Sequence, residues 1–340
     1  MRKVILLAII LFWVGAVLAQ SRPGYHLVRQ VPLGGEGFWD YLTFDAPNHR
    51  IFISRATHVV VVDSNTFEKV GDIPDTPGVH GIALAPDLGR GFVSNGGEGT
   101  ASIFDLKTLK LIQKVHTGEN PDAITFDPAS KRVFTFNGRS HDVTAIDASD
   151  GKIAGTIPLS AKPEFAVPDG SGQIFVNLED KSALAVLDSK TLKLKSSYSL
   201  IPCEEPTGLA LDREHHRLFV GCSNKLMAVV DASSGKVITT LPIGEGVDAT
   251  RFDPGTQLAF SSNGEGTLTV IHEESPDKFQ IVETVKTEEG ARTMALDPES
   301  HRVFLVTAKF GPPPQPTPEH PHPRHSVVPD SFVLLVYGPK

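Results

Sequence analysis

The sequence predicts an all-β fold: a seven-bladed β-propeller of four-stranded antiparallel blades, with the N-terminal strand completing the last blade. The first observation behind this is a six-residue phrase that recurs down the chain. Its copies are Arg50-Ile-Phe-Ile-Ser-Arg55, Arg90-Gly-Phe-Val-Ser-Asn95, Arg132-Val-Phe-Thr-Phe-Asn137, Gln173-Ile-Phe-Val-Asn-Leu178, Arg217-Leu-Phe-Val-Gly-Cys222, Gln257-Leu-Ala-Phe-Ser-Ser262 and Arg302-Val-Phe-Leu-Val-Thr307. The steps between first residues are 40, 42, 41, 44, 40 and 45, and a period in this range marks a stacked repeat. The second observation is that every unit divides into four short β-rich segments separated by turn residues, with no helical periodicity, which suits a propeller blade rather than a solenoid coil. The third lies at the chain ends. The seventh unit runs out after its third strand at Tyr337, whereas Tyr25-His-Leu-Val-Arg-Gln-Val-Pro-Leu-Gly-Gly35 resembles a fourth strand such as Lys236-Val-Ile-Thr-Thr-Leu-Pro-Ile-Gly244. Sharing the last blade between the two ends hides the edge that an open ring would expose.

Taken in order, residues 1–19 read as a signal peptide. Arg2-Lys3 precedes an apolar run from Val4 to Leu18, and Val17-Leu18-Ala19 supplies a small-residue cleavage site before Gln20. The run is shorter than the roughly 20 apolar residues of a membrane anchor. Residues 20–340 are then expected to form one secreted or periplasmic propeller domain, with no stable membrane insertion after cleavage. The fifth unit shows the blade most clearly: Thr207 to Leu211, a turn at Asp212-Arg-Glu-His-His216, Arg217 to Cys222, Leu226 to Val230, a turn at Asp231-Ala-Ser-Ser-Gly235, and Lys236 to Ile243. Third strands recur at Val59–Val62, Ala101–Phe104, Val143–Ile146, Leu184–Leu187, Leu226–Val230, Leu268–Ile271 and Phe332–Val336. Asp63, Asp105, Asp147, Asp188 and Asp231 close five of these before Ser, Thr or Gly-containing turns, where Asx hydrogen bonding accounts for them. In the seventh unit a Pro/His-rich insertion at 311–330 separates the second and third strands.

The stretch Phe92-Val-Ser-Asn-Gly-Gly-Glu-Gly-Thr-Ala-Ser-Ile-Phe-Asp105 resembles the YVTN-type β-propeller repeat, and the layout as a whole is similar to exported YncE-like proteins. The resemblance covers roughly residues 25 to 340. It implies the seven-bladed fold and export, and it leaves function open. The repeat consists of blade-building residues, and the wider group of seven-bladed propellers includes lyases and dehydrogenase subunits as well as proteins without an assigned activity.

Charge narrows the partners. Lys and Arg number 32 against 40 Asp and Glu; without Arg2 and Lys3 the balance is 30 against 40, a surface that repels nucleic acid. No Cys-x-x-Cys-His, phosphate-binding Gly-rich loop or Ser-His-Asp signature occurs. The expected partners are a small molecule, a peptide or a cell-envelope protein.

In a blade whose first strand is innermost, the entry to that strand and the exit from the second share one face. The entering residues are Asp40, His80, Asp122, Glu164, Thr207, Asp248 and Arg292; those leaving the second strand are Arg55, Asn95, Asn137, Cys222, Asn263 and Thr307, with the fourth unit irregular around Leu178 to Glu179. These two sets are expected to ring the channel mouth as a polar funnel that binds a small polar ligand. A divalent metal on His80 with Asp40 or Asp122 is one option, since carboxylates suit hard cations and imidazole suits transition metals. The alternative to a binding protein is a metal-assisted lyase or hydrolase with His80 as the acid or base. Polar lining is also what any water-filled channel needs.

His49, His215, His216 and His301 fall in turns on the opposite face and are expected to be solvated. Trp39, beside Asp40, is placed either between blades or against a ligand. The insertion projects from the funnel's face, as an extended polyproline loop or as a lid carrying His320, His322 or His325. Cys203 precedes the inner strand of the fifth unit and Cys222 ends the strand beside it, so the two can form a disulfide if the geometry allows.

Overall fold

A computed structural model describes residues 24–312 and 326–340. The expected signal peptide lies outside these residues, as do His320, His322, His325 and the body of the insertion. Seven four-stranded sheets follow one another around a ring, and all neighbouring strands within them pair antiparallel. The inner strands are Trp39–Asp45, Val79–Ala85, Pro121–Asp127, Pro163–Pro168, Pro206–Asp212, Val247–Asp253 and Met294–Asp297.

The burial of each strand explains its composition. In the fifth blade the second strand, Arg217–Cys222, is buried at every position after the first, and the third, Leu226–Asp231, at every position but its ends. Both middle strands are covered on each face by the neighbouring blades, so they read as continuous apolar runs rather than alternating ones. The outer strand, Val237–Pro242, is partly exposed along most of its length. The phenylalanines of the recurring phrase, Phe52, Phe92, Phe134, Phe175, Phe219, Phe260 and Phe304, are all buried. Each contributes roughly 1.5–3 kcal/mol through the apolar surface it removes from water. In the sixth blade the second strand begins at Leu258, one residue later than the phrase suggests, which puts Asn263 at its end.

The latch forms as the sequence predicts. Tyr25–Pro32 runs antiparallel to Val333–Pro339, with Tyr25 opposite Pro339 and Pro32 opposite Val333. The Tyr25 hydroxyl donates to the carbonyl of His301 at 2.9 Å, and its ring meets Phe260 edge-on at 5.1 Å. The ring is therefore closed by hydrogen bonds between chain ends and by packing against the sixth blade.

Aspartates at the ends of third strands do what their turns need. Asp63 accepts the amides of Asn65 and Thr66 at 2.9 and 2.8 Å, and Asp231 accepts those of Ser233 and Ser234. At the base of the insertion Phe310 bridges to Val327, and the amide of Gly311 donates to the carbonyl of Ser326 at 2.8 Å.

Candidate functional site: an acidic channel mouth

Inner strands pair regularly with their neighbours except at their entry. Register shifts fall between Trp39 and Leu42, Val79 and Ile82, Pro121 and Ala123, Pro163 and Ala166, Pro206 and Leu209, and Val247 and Ala249. A bulge adds a residue to one strand and re-aims its side chain. Here the re-aimed residues are Asp40, His80, Asp122, Glu164, Thr207 and Asp248.

A bulge frees peptide groups from the ladder, and the second strands supply their partners. The Asp40 amide donates to Ser54 Oγ at 3.0 Å, and the Gly81 amide to Ser94 Oγ at 2.9 Å. Ser94 in turn donates to the carbonyl of Asp122 at 2.9 Å, Asn177 Nδ2 to that of Thr207 at 2.8 Å, and Ser262 Oγ to that of Arg292. These donors are buried, so the rim is held by satisfied hydrogen bonds away from solvent.

All seven predicted entry residues line one cavity of about 630 Å³. His80 Nδ1 stands 2.6 Å from Asp40 Oδ2 and 3.2 Å from Asp122 Oδ1, with side chains 28, 20 and 15% exposed. Lys162 Nζ lies 3.1 Å from Glu164 Oε2 and also pairs with Glu179. Arg292 Nε lies 3.3 Å from Asp248 Oδ2. Five carboxylates thus face three cationic side chains. Gly96 leaves room for His80: a Cβ there would sit 2.6 Å from His80 Nε2 and 2.9 Å from Asn120 Oδ1, so both side chains would have to shift. Below the acids the Tyr41 and Phe165 rings stack at 5.4 Å. Together with Arg251, whose guanidinium lies 5.1 Å from the Phe165 ring centre, they form a floor.

Burial and crowding of like charge set the protonation. Burial alone would lower the His80 imidazole, but the Asp40 hydrogen bond and the Asp122, Asp40 and Glu164 charges outweigh it and push it up to about 9. Burial raises Asp248 to about 6 even with Arg292 opposing, and Asp40 and Asp122 add to the rise. Burial, with Asp122 beside it, holds Glu164 well above the ordinary carboxylate range; burial raises Asp122 too, against the pull of His80. Arg292 is raised, chiefly by Asp248. The mouth is therefore short of positive charge, and it retains protons to compensate. Its Asp40, His80 and Asp122 offer ligand atoms within 4.8 Å of one another.

No family model matches the chain. It is 29% identical to uncharacterized protein YncE of Salmonella typhi over 147 residues, 40% of this chain and 41% of that protein. It is 24% identical to the YncE of Escherichia coli K12 over the same share of each. The match therefore spans less than half the length of these relatives. The chain is a seven-bladed propeller, and over part of its length its sequence is similar to YncE. A chain of Kuenenia stuttgartiensis hydrazine synthase superposes with a TM-score of 0.69 at 15% identity, covering 81% of this chain and 92% of that one, a likeness of fold alone.

The second predicted set sits elsewhere in this propeller, which corrects the expectation that it rings the funnel. Asn95, Asn137 and Asn263 are fully buried, and their amides bind the next strand: Asn95 to Thr100 and Ser102, Asn137 to Asp142 and Thr144, Asn263 to Thr267 and Thr269. Arg55 is also buried, donating to the Glu36 carbonyl at 2.7 Å with its guanidinium 3.6 Å from the Phe332 ring centre. Thr307 donates to the Glu289 carbonyl at 2.6 Å. Among the described strands only the inner ones border the mouth, so a residue ending a second strand turns into the blade. The loops after the second strands do reach the mouth, but one residue later, through Ala56, Glu179 and Gly264. At that place other blades carry Ala56, Gly96, Gly138, Ser223, Gly264 and Ala308. Glu179 alone is large and charged, a signal visible in the irregular fourth unit. Lys162, which the sequence reading missed, precedes the inner strand of the same blade.

Trp39 lines the mouth and packs against Phe332 and Phe310, with ring centres 5.3 and 6.0 Å apart. Cys203 and Cys222 form a disulfide, with Cα atoms 5.4 Å apart, and Cys222 is buried in the blade. Of the turn histidines, His49 and His216 are exposed as expected, whereas two are not free in solvent. His301 Nδ1 lies 2.7 Å from Asp253 Oδ2, and His215 Nδ1 lies 2.8 Å from Asp212 Oδ2 and 3.0 Å from Glu273 Oε1. The inner-strand aspartates that pair with them are buried, so the histidines supply the partner that a buried carboxylate requires.

Proposed function

We propose that the protein is an exported, non-enzymatic propeller that binds a divalent metal ion at the acidic mouth, through Asp40, His80 and Asp122. The observation that carries this reading is the charge balance: five carboxylates against three cations in one cavity, with two of the carboxylates converging on a single imidazole nitrogen. A divalent ion supplies the missing charge better than the proton now held there. Glu164, Glu179 and Asp248 are already engaged by Lys162 and Arg292, which leaves the Asp40, His80 and Asp122 corner for the ion. The rest of the cavity, with Trp39 and Phe38 on its wall, has room for a small polar molecule or peptide end beside it. Export is supported by the N-terminal pattern and by the Cys203–Cys222 bond, since disulfides persist in oxidising compartments.

A lyase or hydrolase in the same mouth is the second reading, favoured by one specific feature. His80 keeps its proton through neutral pH, so in such a reaction it would act as the acid rather than the base.

Equilibrium dialysis of the protein against Mn²⁺ or Zn²⁺, followed by metal analysis, tests the proposal. About one ion per chain is expected, lost when both Asp40→Asn and Asp122→Asn are introduced. Equal metal content in the wild type and that variant would overturn it.

A further inference from the structure

The opposite mouth of the channel has the opposite chemistry. A cavity of about 530 Å³ opens there, beyond the Tyr41 and Phe165 floor, and Phe44, Phe126, Phe165 and Phe252 supply its aromatic wall. Its free charges are both positive. Asp45, the one carboxylate in the lining, is buried and taken up by Arg50 at 2.6 Å and by Asn48. Arg251 donates one bond, from Nη1 to the Thr250 carbonyl at 2.8 Å, and lies over Phe165. Arg213 donates to the carbonyls of Asp169 and Pro168 at 3.2 and 2.9 Å. Among the described residues neither guanidinium has a carboxylate within ion-pairing distance. In a chain of net charge −8, two arginines without an ion-pair partner among the described residues at one opening stand out from the surroundings. Burial lowers Arg251 to about 10, so its charge is carried at a cost that an anion would relieve.

The two features fit one kind of ligand. Arginine presents several N–H donors in a planar fork suited to a carboxylate or sulfonate, and it stacks on aromatic faces. Phenylalanine walls suit a flat apolar body, and the volume lies in the range of cavities that hold small molecules. We propose that this mouth is a second, independent binding site for a small anion carried on a flat aromatic body, with Arg251 receiving the anion and the phenylalanines receiving the ring.

The probe is 8-anilinonaphthalene-1-sulfonate, followed by its own fluorescence, with uncharged N-phenyl-1-naphthylamine as the comparison. The sulfonate is expected to bind saturably, and the neutral analogue about tenfold more weakly or worse, the range for one charge-assisted hydrogen-bonded contact. Arg251→Met should weaken sulfonate binding by at least about tenfold and leave the neutral analogue nearly unchanged. Because Arg251 is largely enclosed, Ala46→Glu serves as a second variant. Ala46 lines the same opening and is exposed, so the fold tolerates the change while a like charge is placed near the sulfonate; binding should weaken by several-fold. Equal affinity for the charged and neutral compounds, or unchanged sulfonate affinity in both variants, would overturn the assignment.

Discussion

His80 holds one proton between two acids, and this single residue sets how the mouth responds to pH. Its folded-state value, about 9, lies above the ordinary 6.5, so folding favours the protonated form. The stability this contributes is complete below about pH 6.5 and is lost as pH rises through 9. His80→Gln should flatten the stability curve across that window, where the wild type loses on the order of 2 kcal/mol. Chemical denaturation at pH 6.5 and 9 checks this, and an equal drop in both proteins would remove His80 as the cause. Gly96 and Glu179 show at the same scale how one position after each second strand tunes the mouth. A glycine there makes room for the imidazole, and a glutamate there adds a fifth carboxylate.

Strands and turns bind the blades to one another as well as within themselves. The turn joining inner to second strand in the fifth blade meets the end of the third strand in the sixth, where Asp212 and Glu273 enclose His215. Other blades place Ser64, Leu106, Ala148, Ser189 or Ala232 where the sixth has Glu273. Burial, with Asp212 adding to it, raises Glu273 to about 7. A carboxyl raised on folding contributes stability that is present below about pH 4.5 and lost as pH climbs through 7. Glu273→Gln should therefore reduce the loss of stability between pH 4.5 and 7, to which Asp248 at the mouth also contributes. Thermal melts across this window check it; a wild-type slope persisting in Glu273→Gln would contradict this role. The disulfide staples the same blade near the mouth, where a loop with 19 residues of sequence separation contributes about 3 kcal/mol in the chain-entropy model.

At the scale of the whole molecule, the ring puts two unlike cavities at the two ends of one channel. Its architecture was legible in the sequence because every blade repeats the same burial problem. Each middle pair of strands must be apolar throughout, and that requirement leaves a phrase at a fixed period. The inner-strand entries were legible for the same reason, and all seven, from Asp40 to Arg292, meet in one cavity. What the period could not convey is side-chain direction at a strand end. Asn95, Asn137 and Asn263 are polar, recurrent and beside the mouth, yet strand alternation turns them into the blade, where they staple the next strand. Lys162 and Glu179 lie where the fourth unit departs from the repeat, so alignment against the other units hid their pairing. The aromatic and arginine opening escaped because its residues come from the middle and far ends of inner strands, positions that read as core in any single blade.

Calorimetric titration of the protein with Mn²⁺ at pH 7.5, in two buffers of different ionisation enthalpy, tests the acidic mouth most directly. An ion bound through His80 must displace its proton. The account predicts one site per chain with close to one proton released, and both the site and the release abolished in His80→Ala. Binding without proton release, or unchanged binding in His80→Ala, would contradict it.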